Sequence, residues 1–213
     1  MQIPLLQGPA VCSSLEALSK AAAECMRCPL GATRIRSVFS DGSPQAQIML
    51  IGEGPGQQED ESGIPFVGRA GQLLTQMLAS AGIDRQQDIY ICNTVKCRPP
   101  QNRKPQASEM EACFPYLSGQ IQNVQPKIIV LAGATAVQDI LKTKQGITKI
   151  RGQWFEGPNG AKLMPIFHPS YLLRNPSQTE GSPKWLMWQD LQTVRKEAEA
   201  QGIQLHGTPS PFI

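Results

Sequence analysis

Three polar residues with the capacity for chemistry sit far apart in the chain but in the same kind of place. Glu53, Asn93 and His168 each lie at or just beyond the end of a short apolar run, Ile48–Ile51, Asp88–Asn93 and Ala161–Phe167. A carboxylate can polarise a water, an amide can read the edge of a planar heterocycle, and an imidazole can donate to a developing anion. A second constellation is made of sulfur. Cys25 and Cys28 are separated by two residues, Cys97 comes after 68 more and Cys113 after another 15. Four thiolates suit either a zinc ion or an iron–sulfur cluster, and spacing does not choose between them. A metal held this way would tie an N-terminal helix to the region around residues 97–113. Cys12 and Cys92 read as small hydrophobic residues.

The stretch that organises the rest is Gly52–Gly71, GEGPGQQEDESGIPFVGRAG. Gly52, Gly54 and Gly56 allow close backbone approach, and Pro55 stiffens the turn. A phosphate cradle would carry a lysine, as in GxxxxGK[ST]. This loop instead carries Glu53 and the acidic run Glu59–Asp60–Glu61, which repel phosphate. The expected ligand is a neutral planar group lying on Phe66.

Strands alternate with helices along the chain. The expected helices are Leu15–Glu24, Gln72–Ala81, about Gln106–Asn123, Ala134–Leu141 and about Pro183–Ala200; Ile48–Ile51, Asp88–Asn93, Lys127–Ala132 and Ala161–Phe167 read as inner strands. Ile150–Glu156 reads as an edge strand. The pattern predicts a three-layer α/β/α sandwich around a mainly parallel, four-stranded sheet. In such sheets the strand carboxyl ends gather at one rim, where ligands bind. That places Glu53, Asn93 and His168 at a shared site. Residues 1–13 read as a loose arm and 202–213 as a poorly structured tail of a single domain spanning 1–213.

The 213 residues suffice for one domain burying about 70% of its extended surface. An apolar content of 40% fits a globular protein, and the net charge of +3 favours nucleic acid only slightly. No apolar run approaches the ~20 residues of a membrane span, and no signal-peptide pattern opens the chain. The expectation is a cytoplasmic monomer with no membrane contact.

With these residues assembled, the sequence resembles the family-four uracil-DNA glycosylases, the iron–sulfur-containing microbial branch of their superfamily. The resemblance covers roughly residues 24–191. It rests on GEGPG (52–56), PFVGRAG (65–71), NTVKCRPP (93–100), HPSYLLR (168–174) and the four-cysteine pattern. It implies a [4Fe–4S] cluster on Cys25, Cys28, Cys97 and Cys113, and hydrolytic excision of uracil from single- or double-stranded DNA, leaving an abasic site. Extruding the base into a pocket is the step such chemistry requires.

In that setting Phe66 would stack the ring, Asn93 would pair with O4 and N3–H, and His168 would stabilise the departing uracil anion. Glu53 would orient or polarise the water, or support the sugar cation. The better-known uracil glycosylases carry an aspartate at the loop position held here by Gly54. The backbone of Gly54 and Pro55 would line the pocket, and Glu59 would exclude a thymine methyl. Leu172 and Leu173 would wedge into the gap left by the base, while Arg174, Lys96, Arg98, Arg103 and Lys104 would contact phosphates. Two other readings stand beside this one. A relative that traps uracil covalently through a loop histidine is disfavoured, because no histidine occurs between Asn93 and Pro126. A metal-stabilised nucleotide-binding or redox protein is the other.

Overall fold

The structure, a computed structural model, describes residues 14–211. The arm expected over residues 1–13 lies outside the described residues.

The first element of the described residues is α1 (Leu15–Ala23), capped by Ser14, whose hydroxyl accepts from the Ala17 amide at 3.2 Å. A short α2 (Leu30–Thr33) comes next, then β1 (Asp41–Gly42) and β2 (Ile48–Gly52). The glycine loop contains α3 (Gln57–Ser62), and α4 (Arg69–Ser80) closes it before β3 (Ile89–Asn93). Beyond lie α5 (Ala107–Val124), β4 (Ile128–Ala132), α6 (Ala134–Leu141), α7 (Ile147–Ile150) and β5 (Phe155–Glu156). β6 (Lys162–Ile166), α8 (Pro169–Arg174) and α9 (Pro183–Ala200) complete the order.

Among the described residues the sheet has six strands in the order β1-β3-β2-β4-β6-β5. The four inner strands are parallel, and the two-residue edge strands pair antiparallel. The expected four-stranded sheet is thus the core of a larger one. Its β1 edge, only Asp-Gly, is too short for the apolar pattern to reveal, whereas β5 falls within the expected edge strand. Successive residues on β2 and β4 face opposite layers. Ile48, Leu50, Ile128 and Val130 pack toward α4 and α9, whereas Met49, Ile51, Ile129 and Leu131 pack toward α5 and α6. That two-sided burial explains the unbroken apolar runs. A third, smaller core joins Leu18, Ala22 and Leu30 to Val95, Cys97, Cys113 and Tyr116.

Two regions depart from expectation. The segment after Gly202 is docked rather than loose: Ile203 is buried, and the His206 amide donates to the Asp88 carboxylate at 3.0 Å. Arg195 also donates to the Gly207 carbonyl. In 150–156 only Phe155–Glu156 is strand; Ile150 ends α7. No helix among the described residues is long and apolar enough to cross a membrane.

Candidate active site

Register fixes the site. Gly52 at the end of β2 is level with Asn93 at the end of β3, and Ala132 on β4 is level with Ile166 on β6. The residues just beyond these strand ends therefore emerge on one rim. Glu53, Gly54, Pro55, Glu59, Phe66, Asn93 and His168 line a single cleft of about 280 Å³, which Arg103, Asn102 and Ser170 also border. A second lobe of about 450 Å³ shares Glu53, Asn102, His168 and Ser170, and extends to Thr135, Tyr171 and Arg174.

Phe66 forms one wall. Its backbone takes the left-handed conformation at φ 54°, unusual for a bulky residue and maintained only where neighbours dictate it. Here they do. The Glu59 carboxylate accepts from the amides of Val67 (3.0 Å) and Gly68 (2.8 Å) on one oxygen, and from Gly56 (3.1 Å) on the other. Arg85 donates to the Pro65 carbonyl at 2.7 Å. The sequence suggests Glu59 as a space-filling acid beside the base. It does border the cleft, but both its oxygens are spent on bracing the loop that presents Phe66.

Asn93 is only 1% exposed, and its side-chain oxygen has no hydrogen-bond partner among the described residues. Leaving a buried carbonyl unpaired costs about 1–3 kcal/mol, which a ligand N–H would return. Its backbone carbonyl accepts from the Lys96 ammonium at 2.6 Å. Lys96 is itself 1% exposed and lies over the Phe39 ring at 5.9 Å. It is an internal brace, and the expectation that it meets phosphate is overturned.

His168 caps α8. Its Nδ1 accepts from the Ser170 amide at 3.2 Å and lies 2.8 Å from the Ser170 hydroxyl. Because a backbone N–H can only donate, the neutral ring carries its proton on Nε2. Burial lowers the His168 pKa below the usual value; Arg174 lowers it further, while the Glu53 and Glu59 carboxylates oppose the shift. The imidazole is thus a neutral Nε2–H donor at pH 7. Gly133, at φ 92°, permits its close approach: a methyl on Gly133 would lie 2.8 Å from the His168 Cβ. The rings of His168 and Phe66 are 5.9 Å apart.

Glu53 is held at both ends. Its main-chain carbonyl accepts from the Thr94 hydroxyl (2.6 Å) and the Val95 amide (3.3 Å), and its carboxylate accepts from the Thr135 hydroxyl. Thr135 leaves no signal in the sequence because a threonine in the first turn of a helix is ordinary.

Leu172 and Leu173 both fall on α8. Leu172 is fully buried in the main core and is withdrawn as a wedge; Leu173 is 36% exposed. Helical spacing puts these neighbours on different faces. Arg98 donates to Asn102 (2.7 Å), Lys104 to Gln138 (3.0 Å), and Arg103 pairs with Glu109 (2.6 Å). Arg174 is exposed beside the second lobe.

Cys25, Cys28, Cys97 and Cys113 line one small cavity between α1, α2, the loop after β3, and α5. The Arg34 guanidinium donates to the Cys97 sulfur (3.2 Å) and to the Cys25 carbonyl (2.6 Å), and the Lys96 amide donates to the Cys113 sulfur (3.3 Å). Burial pushes the Cys113 thiol up to about 12 and raises Cys97. No group of three or more His, Cys, Asp or Glu among the described residues is arranged to hold a single metal ion. Cys92 is separate, a residue of β3 buried in the core on the α5 and α6 side.

Comparison with known proteins agrees with this geometry. Residues 39–192 match the uracil DNA glycosylase superfamily. The chain is 48% identical over 164 residues to a type-4 uracil-DNA glycosylase of Thermotoga maritima, covering 76% of this chain and 85% of that protein. It is 43% identical over 173 residues to one of Sulfurisphaera tokodaii, covering 77% and 78%. With one of Archaeoglobus fulgidus it shares 38% over 174 residues, covering 78% and 87%. A cleft at the strand ends, an unpaired amide oxygen within it, and this extent of identity lead to one assignment: the chain belongs to the uracil DNA glycosylase superfamily, among the type-4 uracil-DNA glycosylases.

Proposed function

We propose that the cleft bounded by Glu53, Phe66, Asn93 and His168 receives a uracil everted from DNA, and that hydrolysis of its N-glycosidic bond there releases free uracil. The observation that carries this is the unpaired side-chain oxygen of Asn93, buried at the cleft floor. Uracil presents an N3–H to such an acceptor, whereas cytosine has a bare N3 at that position. Phe66 offers a face for stacking, worth about 1–3 kcal/mol per base.

As the bond breaks, charge separates into a sugar oxocarbenium and a uracil anion. The neutral Nε2–H of His168 donates to O2 as that anion forms. Glu53 orients or polarises the water, or supports the sugar cation. Leu173 is the wedge for the vacated stack. Arg98, Arg103, Lys104 and Arg174 are the phosphate contacts, an electrostatic set whose contribution falls with salt. Gly54 and Pro55 line the pocket.

The four-cysteine cavity fits an iron–sulfur cluster by its donor set: four sulfurs and neighbouring Arg34 and Lys96 donors. Such a cluster would act there as a staple between α1, α2 and the loop carrying Arg98–Lys104. The chemistry above uses only the chain's own residues.

The test is incubation with uracil-containing single- and double-stranded DNA, followed by alkali. Strand breaks at uracil are the expected result. A shifted but alkali-resistant complex would instead mark a binding protein.

A further inference from the structure

We infer that Thr135 is a positioning residue for catalysis, setting the orientation of the Glu53 carboxylate from the start of α6. The inference rests on the role given to Glu53 above and extends it to a residue that lies 82 positions further along the chain.

The main chain at Glu53 is tied to the β3 side through Thr94 and Val95. That leaves the carboxylate free to turn about its side-chain torsions. The Thr135 hydroxyl donates to one of its oxygens, and no other hydrogen bond to that carboxylate is seen among the described residues. A hydroxyl-to-carboxylate bond is charge-assisted and directional.

Thr135 is well placed to impose direction. It is 5% exposed, and it stands in the first turn of α6, whose start is pinned by the Gly133 amide donating to the Ile166 carbonyl at 3.0 Å. β4, α6 and β6 thus form a rigid backing for one hydroxyl. Spending one carboxylate oxygen on Thr135 leaves the other to face water or sugar. Threonine is β-branched, so few χ1 rotamers compete with the one that points at Glu53.

The test compares Thr135→Val, Thr135→Ser, Glu53→Gln and the double variant Thr135→Val/Glu53→Gln in single-turnover excision, with DNA affinity and unfolding temperature measured alongside. Losing the donor frees the acid to wander by about 1 Å, so Thr135→Val should lose on the order of tenfold to a hundredfold in rate. DNA affinity should stay within about twofold, because ground-state binding does not use the contact. Thr135→Ser keeps the hydroxyl and should retain most of the rate. The double variant should be no slower than Glu53→Gln alone, since orienting this side chain serves only the carboxylate's chemistry, which glutamine no longer supplies. If Thr135→Val does not fold, Thr135→Ala takes its place.

Wild-type rate in Thr135→Val with an inactive Glu53→Gln would overturn the inference while leaving the role of Glu53 intact. A valine defect that multiplies the glutamine defect would also overturn it, because Thr135 would then act elsewhere. Full activity in Glu53→Gln would remove the underlying role and the inference with it.

Discussion

Replacing Gly52 with alanine probes the site at its tightest point. Gly52 ends β2 opposite Asn93, and its φ is not positive, so alanine suits the backbone. The obstacle is space. A methyl there would lie 2.5 Å from Cζ and 2.8 Å from Cε2 of Phe66, and would press on the Asn93 side-chain oxygen as well. Ordinary contact begins at 3.4 Å, so the Phe66 ring must retreat by about 0.9 Å and the amide by a similar amount. Those are the two groups assigned to hold the base. A shift of about 1 Å in a reacting partner costs on the order of a hundredfold in rate, equivalent to about 2.7 kcal/mol of transition-state stabilisation. Stability should move much less, because alanine in a strand gains about 0.5–1 kcal/mol over glycine and offsets part of the crowding. Single-turnover excision from a U·G duplex reads the rate, and thermal unfolding reads the fold. Wild-type rate at unchanged unfolding temperature would refute the reasoning, since Phe66 and Asn93 could then move freely without consequence.

Three further outcomes are expected. Cys113→Ser should lower bound iron and visible absorbance, measured by metal analysis of purified protein; undiminished iron would remove Cys113 from the ligand set. Leu173→Ala should slow base flipping with little change in unfolding temperature, whereas Leu172→Ala, in the core, should cost about 2–5 kcal/mol of stability; the reverse pattern would contradict the exposure of the two side chains. The third concerns pH. The folded pKa of His168 lies below its ordinary value of 6.5, so between the two the unfolded chain binds more protons than the folded one. Stability contributed by the neutral ring is present above pH 6.5 and is lost as pH falls toward the folded pKa. Unfolding midpoints of the wild type should therefore drop more steeply than those of His168→Gln below pH 6.5, by at most about 1.4 kcal/mol per pH unit; parallel curves would contradict it.

Much of this arrangement is legible in the residues because parallel strands advertise themselves. IMLI, IYIC, IIVL and the run before His168 are apolar on both faces, and the residue after each run must emerge at one rim. The features that escape are decided by contacts between segments distant in sequence. Glu59 looks like a free acid until its oxygens meet the amides of Gly56, Val67 and Gly68. Lys96 looks like one of a basic group, yet the chain turns it inward to the Asn93 carbonyl. HPSYLLR carries no helical period of its own, yet Pro169 and the His168 cap start a short helix that buries Leu172. The docking of the 203–210 segment depends on Asp88 and Ser80, more than a hundred positions away, and leaves no local pattern.

The most direct measurement is a crystal structure of the Glu53→Gln variant with a uracil-containing duplex. The uracil should lie on Phe66, with its N3–H on the Asn93 oxygen and its O2 within hydrogen-bond reach of His168 Nε2. A base bound on another surface, or one in the cleft with Asn93 and His168 both turned away from it, would contradict the central claim.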